Sequence, residues 1–391
     1  MQQAQAPSQS THARPSAKPV MALSLVPELG PRRVRRLISL MGGPEPALHA
    51  SISQLQSIPS IGKPLASRIA RGLTEARDSI DRHWQHALDA GVSILPFDDP
   101  DFPQQLTGEE HAPAILYVRG SIAALAKPGI GIVGSRKCSA YGLDQATRFA
   151  AALADAGWSI VSGGARGIDT AAHHAAVRNG GCTVAVLGCG LDHCYPSENA
   201  ELFRRIVEAG GAVISELPMH SAPDAKNFPA RNRIIAGLAT GVIVVEADQR
   251  SGALITARQA GEMGKEVMAI PGRIDVSTSK GCHDLIRDGV QLVTSPQDVL
   301  EAVEPIRERP AIAHLFTTPM ADEDHVSDGT EDARTPNSIE DAILQALGTA
   351  LTLDELCERV GLPPEQVRAS VTLLEIRRRV RREGSRLVRS K

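Results

Sequence analysis

The sequence predicts an α/β protein built around a doubly wound parallel sheet, with a helical domain before the sheet and a winged helix after it. Three observations predict this architecture. Six short apolar runs alternate with helical segments over residues 128–300, two similar Pro/Gly turns precede them, and three helical patterns with a strand-like segment close the chain. A chain of 391 residues with 42% hydrophobic content can bury more than one core, so several domains are expected.

The N-terminal region is expected to hold a disordered tail and a small helical domain. Residues 1–20 are rich in Gln, Ser and Pro, and the apolar run that follows is too short for a signal peptide, which predicts a tail on a cytoplasmic protein. Over residues 21–90, the turns Val26–Gly30 and Ile58–Gly62 repeat an apolar-Pro-x-apolar-Gly pattern ahead of basic helices. This pattern resembles SAM-like helix-hairpin-helix units, whose amides can meet a phosphate. The alternative is a helical bundle that serves as an oligomerisation or spacer module.

The central region, residues 91–300, is predicted to form the sheet. Its apolar runs are Gly129–Val133, Trp158–Val161, Thr183–Leu187, Ala212–Ile214, Val242–Val245 and Glu266–Ile270. Runs that are nearly continuous in apolar residues and separated by helices are typical of parallel strands covered on both faces. Ligands of such a sheet bind at the carboxyl ends of its strands.

A glycine pattern marks the first of these strand ends. Residues 129–134 match G-x-G-x-x-G, but Gly129 and Gly131 fall inside the apolar run, whereas a dinucleotide site needs its glycines after the strand. The residues that follow the strand are Gly134, Ser135, Arg136 and Lys137. Small residues that expose backbone amides, next to two cations, predict an anion cradle suited to phosphate.

The end of the second predicted strand is also rich in glycine. Its candidate binding residues are Ser162, Gly163, Gly164 and Arg166. The alternative is a tight turn in which Asp169 helps to start the next helix. Several glycine-rich strand ends along one rim favour a polymer as the ligand over an enclosed small molecule.

A basic segment supplies the second half of the predicted site. Residues 226–240 read KNFPARNRIIAGLAT, which predicts a loop that brings cations and one aromatic ring together without an acidic residue. Its candidate residues are Lys226, Asn227, Phe228, Arg231, Asn232 and Arg233. Cations that meet phosphates and a ring that stacks on bases are what a single-strand binder needs. The alternative is a solvated basic turn before a helix.

The last 91 residues divide into an acidic segment and a small domain. Residues 301–335 hold nine acidic and three basic residues, a net charge of −6 against −3 for the whole chain, and are predicted to be a linker. Residues 336–391 show three helical patterns, the third over Glu365–Arg377, followed by a strand-like wing, Arg381–Val388. This order predicts a winged helix, which binds either DNA or protein.

Motifs for catalysis and for metal binding have weak support in the sequence. The chain has neither a G-x-x-x-x-G-K-[ST] loop nor a G-x-S-x-G turn, so no enzymatic activity is expected. His173 and His174 have no partner that the sequence assigns, and Glu216 and Glu246 are as well suited to capping a helix or pairing with an arginine as to catalysis. The six cysteines lack Cys-x-x-Cys spacing, so neither a metal nor another cofactor is expected.

Six blocks of sequence, in order, carry a family resemblance. They are GIVGSRKCSAYG, SGGARGID, VLGCGLDHCYPSEN, KNFPARNRIIAGL, RSGALITARQAGEMGKEVMAIPG and SKGCHDLIRDG, spread over residues 129–289. This series resembles the DNA processing protein A (DprA/Smf) family. The resemblance implies an extended Rossmann-like domain that binds single-stranded DNA and forms a homodimer. It further implies a mediator that protects incoming DNA and helps to load RecA during natural transformation.

The same resemblance assigns roles within the site. It implies phosphate contacts from Gly134, Ser135 and above all Arg136. It places Lys226 near phosphate and Phe228 near a base. One of the two arginines, 231 or 233, is instead expected to anchor the segment.

Two other functions remain alternatives. Related Rossmann domains occur in nucleotide-processing phosphoribohydrolases, although their PGG-x-GT…E signature is replaced here by Arg250–Thr256, RSGALIT. A regulator that binds double-stranded DNA through the winged helix is the other alternative, and deletion of residues 336–391 distinguishes it. The sequence predicts no membrane-spanning segment.

Overall fold

A computed structural model describes residues 14–108, 112–307, 339–347, 351–360, 380–383 and 386–389, together with residues 367, 371 and 374. The chain divides into two compact units, Met1–His314 and Leu315–Lys391. The first unit contains the N-terminal helices and the large sheet, and the second contains the small C-terminal domain. In the described residues, no helix is both long and apolar enough to cross a bilayer.

The N-terminal part of the first unit is helical. After a short 3-10 turn at Pro15–Ala17, its helices are α1 (Lys18–Leu25), α2 (Pro31–Met41), α3 (Pro44–Leu48), α4 (Ile52–Gln56) and α5 (Lys63–Asp89). Both predicted hairpins lie between two helices, and Gly30 and Gly62 cap the helices that follow. The two turns have matching backbones, because Glu28 and Ser60 both adopt the left-handed conformation, with φ of 65° and 71°. The second hairpin leads into a 27-residue helix, longer than its sequence pattern indicates.

The predicted disordered tail is wrong for its last six residues. Residues 15–20 form the 3-10 turn and the start of α1. Ala17 and Val20 are completely buried in the helical core, and this burial offsets the entropy lost on ordering them. Residues 1–13 lie outside the described part of the chain.

The central sheet has nine strands. They are β1 (Ser93–Pro96), β2 (Ile115–Gly120), β3 (Gly129–Val133), β4 (Ser159–Ser162), β5 (Thr183–Val186), β6 (Ala212–Ser215), β7 (Ala239–Val244), β8 (Glu266–Ala269) and β9 (Gln291–Leu292). Their order is β1-β2-β6-β5-β4-β3-β7-β8-β9. The predicted parallel sheet is confirmed for β3–β8, which pair only in parallel with one another. Strands β1 and β2 add an antiparallel edge, which was not predicted from the sequence.

Helices cover both faces of this sheet. They are α6 (Gln104–Thr107), α7 (Ala123–Ala126), α8 (Ala140–Asp155), α9 (Ile168–Arg178), α10 (Ala200–Glu208), α11 (Asn227–Leu238), α12 (Gly252–Glu262), α13 (Lys280–Arg287) and α14 (Pro296–Arg307). Helices α8, α9 and α14 pack in one apolar core with β3 and β4, and α11 and α12 pack in another. The chain runs outward from β3 to β6 and then returns to β7 beside β3. The strand order therefore reverses between β3 and β7, where open α/β sheets form their binding crevice.

The predicted linker begins later than expected. Residues 301–307 belong to α14, because Val299 and Val303 are fully buried against the sheet and hold the helix there. The rest of the predicted linker, residues 308–335, lies outside the described residues.

The C-terminal unit has its own apolar core. Its described elements are α15 (Ile339–Ala346), β10 (Leu351–Thr352), α16 (Leu353–Val360), β11 (Val380–Glu383) and β12 (Arg386–Arg389). Strand β12 pairs antiparallel with both β10 and β11, so the predicted wing is present. Of the predicted third helix, only residues 367, 371 and 374 are described; they are helical and buried, while the remainder lies outside the described residues.

Candidate nucleic-acid interface

The loop from β3 to α8 carries the first half of the predicted site. Gly134 is required there, because a Cβ atom would lie 2.6 Å from Ile168 and 2.9 Å from the Glu246 carbonyl oxygen. Arg136 and Lys137 are exposed. Because Gly129 and Gly131 lie within β3, the rejection of a dinucleotide site is supported by the structure.

Two amides of the predicted cradle are not open, because they donate within the protein. The Ser135 amide donates to the Glu246 carbonyl at 2.7 Å, and the Lys137 amide donates to the Ser135 hydroxyl at 3.1 Å. The Glu246 carboxylate, which is buried, accepts from the amide and the hydroxyl of Ser139 at 2.8 and 2.6 Å. The Ser135 and Lys137 amides are therefore not available to an anion, and the side chains of Arg136 and Lys137 supply the positive charge of the loop.

The predicted basic loop is a helix. Residues 227–238 form α11, and Asp224 organises its start by accepting hydrogen bonds from the amides of Lys226 and Asn227. Pro229 is tolerated because it lies in the first helical turn, where amides have no helical partner. The apolar residues that the sequence analysis assigned to a loop, Ile234 and Ile235, are the buried face of this helix.

Three consecutive side chains fix α11 to three different loops. Arg231 donates from Nη1 to the Gly163 carbonyl after β4, at 2.6 Å. Asn232 donates from Nδ2 to the Gly252 carbonyl at the start of α12, at 3.1 Å. Arg233 pairs with Glu216 after β6, at 2.5 Å, and both side chains are 12% exposed. One of the two arginines, 231 or 233, was expected to anchor the segment, and in the structure both of them do.

Burial makes Arg231 an electrostatic element of the site. Desolvation lowers the pKa of Arg231 to about 10, Asp169 opposes this shift, and Arg136 adds to it. Burial likewise raises the pKa of Asp169, which Arg231 opposes. Arg231 remains protonated at neutral pH, so its charge and that of Arg136 repel each other, and an anion placed between them would relieve that repulsion.

The aromatic ring and the exposed arginine meet directly. The guanidinium carbon of Arg136 lies 5.1 Å from the centre of the Phe228 ring, which is a cation-π distance. Tyr195 also lies beside Phe228, with ring centres 5.3 Å apart and planes inclined by 36°. Phe228 also packs closely on Gly188, where a Cβ atom would lie 2.7 Å from Cδ1. The two predicted halves of the site are therefore in contact.

The residues that follow β4 mostly hold the neighbouring loops and α11 in position. Ser162 is fully buried and donates to the Ile132 carbonyl at 2.6 Å. Gly163 leaves room for Arg231 and Asp169, and Gly164 adopts a φ of 63°. Arg166 pairs with Glu198 at the surface. Asp169 lies in the first turn of α9 and accepts from the Ala165 amide at 3.2 Å, as the alternative interpretation of this turn expects.

One open cavity of about 900 Å³ brings half of the predicted residues together at the β3/β7 reversal. Its predicted members are Gly134, Ser135, Arg136, Lys137, Phe228, Arg231 and Asn232. A smaller cavity beside it is also lined by Gly163 and Arg166. Lys226 lies outside both linings, is 79% exposed and pairs with Asp224 at 3.1 Å.

Sequence reasoning missed one aromatic and one basic residue of the cavity, Tyr195 and Arg250. Tyr195 lies in the VLGCGLDHCYPSEN block, and Arg250 follows β7 at the head of the RSGALIT segment. Both blocks carried the family resemblance, so a search of those blocks for aromatic and basic residues would have found them. Arg250 adds a third exposed cation to the rim, after Arg136 and Lys137.

Three of the titratable groups considered for catalysis, Glu216, Glu246 and His173, have structural partners. Glu216 pairs with Arg233, and Glu246 caps α8 through Ser139. His173 is fully buried beside Thr183, with Nδ1 2.7 Å from Oγ1, and desolvation lowers its pKa to about 3. Among the described residues, no group of three or more His, Cys, Asp or Glu side chains is placed to hold a metal ion.

Comparison with known proteins decides the family. The family model described as DNA recombination-mediator protein A matches residues 93–304. Protein Smf of Escherichia coli K12 is 40% identical over 308 residues, which are 78% of this chain and 79% of that protein. The chain belongs to the DNA recombination-mediator protein A family.

Other relatives of the family agree with the fold. The DprA winged helix domain matches residues 328–385. The crystal structure of DNA processing protein A from Streptococcus pneumoniae superposes with a TM-score of 0.64 at 36% identity, covering 73% of this chain and 96% of that one. The structure of DNA processing protein A from Helicobacter pylori superposes with a TM-score of 0.50 at 29% identity, covering 55% of this chain and 96% of that one. That structure was described for the single-stranded DNA binding mode of the Helicobacter pylori protein. Members of the family are DNA recombination mediators.

Proposed function

We propose that the cavity at the β3/β7 reversal binds single-stranded DNA without sequence preference. The observation that carries this proposal is the contact between the Arg136 guanidinium carbon and the Phe228 ring, 5.1 Å from its centre, where both residues line the cavity. Single-strand binders combine cations that follow the backbone with rings that stack on any base. The relative from Helicobacter pylori, which has a described single-stranded DNA binding mode, supports the choice of ligand.

The residues divide into phosphate contacts, base contacts and supports. Arg136 and Lys137 are exposed on the β3 loop and meet phosphates, with Lys226 further out on the rim. Phe228 and Tyr195 offer ring surface to a base. Arg231, Asn232 and Arg233 hold α11 in place, and the charge of Arg231 adds to the positive potential of the cavity. Gly134, Ser135, Ser162, Gly163, Gly164, Arg166 and Asn227 shape the surrounding loops.

The wider role is that of a recombination mediator that performs no chemistry of its own. We infer that the chain acts as a homodimer in the cytoplasm, protects incoming single strands and helps to load RecA on them during natural transformation. Membership of the mediator family supports this role. The side chains of Glu216, Glu246 and His173 also support it, because each is held in a hydrogen bond or ion pair within the fold. RecA loading is tested by following RecA filament growth on single strands that carry a competing single-strand binder, with and without this protein.

The binding proposal is tested by salt titration of single-strand affinity. Arg136→Ala should weaken binding and flatten the slope of log affinity against log salt by about 0.7, the value for one phosphate contact on a single strand. Arg258→Ala is the control, because Arg258 is 76% exposed on α12 and does not line the cavity. Unchanged affinity and slope for Arg136→Ala would remove Arg136 from the site.

Deletion of residues 336–391 separates this function from that of a double-stranded DNA regulator. The proposal expects the shortened chain to keep single-strand binding, because the cavity lies wholly within the first unit. Loss of all DNA binding with that segment would place the function in the winged helix instead.

A further inference from the structure

A second groove lies between α8 and α9, next to the β3 loop that carries Arg136 and Lys137. It has a volume of about 530 Å³. Arg136 and Lys137 line both this groove and the cavity that contains Phe228. The remaining lining residues belong to the β3 loop, to the first half of α8 and to one face of α9. The groove and the cavity are therefore neighbours that share two cations.

One face of α9 gives the groove its length. Ala171, Ala175 and Arg178 line it at helical spacing, so they lie on the same side of the helix. The two alanines leave space, and Arg178 stands in the last turn. Seven residues, from Ala171 to Arg178, advance about 10.5 Å along a helix axis. At the other end, the Ile168 amide donates to the Ser135 carbonyl at 3.3 Å, which joins the β3 loop to the start of α9. The groove therefore has cations at both of its ends.

The charge of the groove is not balanced within its described lining. Arg136, Lys137 and Arg178 are exposed, and none of their side chains forms an ion pair with a described residue. His174, which also lines the groove, adds no charge at neutral pH, because desolvation, Arg178 and Arg205 lower its pKa. Three positive charges therefore face one groove, and an anion placed there would reduce their mutual repulsion.

The acidic residues of the two helices do not line the groove. Asp144 and Asp155 belong to α8, and Asp169 belongs to α9. Asp155 accepts two hydrogen bonds from Nδ2 of Asn179, at 3.1 and 3.2 Å. Asp169 is buried, and its charge is directed to Arg231. A phosphate in the groove would therefore meet cations and no carboxylate of the described lining.

We propose that this groove binds the DNA backbone next to the segment held at Phe228, so that one strand passes over the β3 loop. The proposal rests on the proposed function, since it assigns a further stretch of the same ligand. The groove offers guanidinium and ammonium groups, and its described lining includes no Phe, Tyr or Trp ring. Phosphate is therefore the group that it recognises, and it adds affinity without adding sequence preference.

The first test removes a charge from the groove in the full chain. With a single strand of about 16 nucleotides, the upper end of common site sizes, Arg178→Gln should flatten the slope of log affinity against log salt by about 0.7, because one phosphate contact is lost. Arg148→Gln is the charge-matched control, since Arg148 is exposed on α8 and does not line the groove. This control should keep the wild-type slope, and urea unfolding midpoints verify that both variants fold.

The second test adds a charge to the groove. Thr147 is an exposed lining residue on α8. Thr147→Lys should raise single-strand affinity and steepen the salt slope by about 0.7, because it supplies one more phosphate contact. Thr74→Lys, at an exposed position of α5 outside the groove, is the control and should match the wild type. A gain of affinity cannot result from a damaged fold.

The two proposals fail in different ways. A wild-type slope for Arg178→Gln, or equal affinity of Thr147→Lys and Thr74→Lys, would overturn the groove proposal where Arg136→Ala still flattens the slope. Equal losses for Arg178→Gln and Arg148→Gln would also overturn it, because they would show attraction by the overall charge alone. A wild-type slope for Arg136→Ala would instead contradict the proposed function.

Discussion

The Arg136 guanidinium carbon lies 5.1 Å from the Phe228 ring centre, and both residues line the same cavity. A base that stacks on this pair meets a surface that is already ordered. The two residues come from segments 92 positions apart in the chain, the β3 loop and the first turn of α11. Their contact makes the candidate site a joint property of both segments.

Phe228→Ala is expected to weaken single-strand affinity by about 1–3 kcal/mol with little change in salt slope, because it removes a stacking surface and no charge. Phe228→Tyr keeps the ring and serves as the control. The double variant with Arg136→Ala should lose less than the sum of the single losses, with a coupling of about 0.5–3 kcal/mol. Additive losses in fluorescence anisotropy would show that the ring does not position Arg136.

Gly188→Ala should impair DNA binding without touching a charged residue. The new Cβ atom would lie 2.7 Å from Phe228 Cδ1, so the ring must move, at a cost of about 1–3 kcal/mol in unfolding free energy. Gly108→Ala is the matched control, since a Cβ atom added there would meet nothing within 4 Å. Binding titrations and urea unfolding of both variants check this, and wild-type affinity for Gly188→Ala would contradict the role given to the ring position.

Arg231→Met should destabilise the fold by about 3–5 kcal/mol, because it leaves the buried Asp169 without its compensating charge. Adding Asp169→Asn should recover part of that loss, since the unpaired charge is then removed. Urea denaturation of the single and double variants measures both effects. If the double variant were no more stable than Arg231→Met alone, the interaction between the two residues would not explain the loss.

Protonation of His173 should lower stability as the pH falls. Desolvation lowers its pKa in the folded state to about 3, against an ordinary value of 6.5, so the unfolded chain takes up the proton first. The stability present above pH 6.5 is therefore lost on acidification, by about 2 kcal/mol at pH 5 for this group alone. His173→Gln should lose that much less between pH 7 and pH 5 in chemical denaturation. An equal pH dependence in both proteins would show that His173 titrates normally.

The sequence predicted the strands that helices cover on both faces, because such strands are nearly continuous in apolar residues. Runs such as Gly129–Val133 can be recognised without knowledge of their neighbours. The antiparallel β1 and β2 depend on pairing with each other and with β6, and β9 has only two residues, so neither case leaves a local pattern of that kind.

The part of the site that lies at the carboxyl ends of the strands could be predicted from the sequence. The meeting of Arg136 and Phe228 follows from a parallel sheet and from the family resemblance. The engagement of the Ser135 and Ser139 amides was not predictable, because the carbonyl and carboxylate of Glu246 reach the β3 loop from more than a hundred residues away. The burial of Arg231 likewise depends on the space that Gly163 leaves, which no local pattern reports.

The three successive anchors of α11, residues 231–233, have a thermodynamic consequence. Each holds the helix to a different loop, after β4, at α12 and after β6. The conformational entropy of placing Phe228 is therefore lost when the chain folds and not when DNA arrives. Encounter with a strand should need no rearrangement of this helix, so association should be fast, and differences in affinity among variants of the site should arise in the dissociation rate.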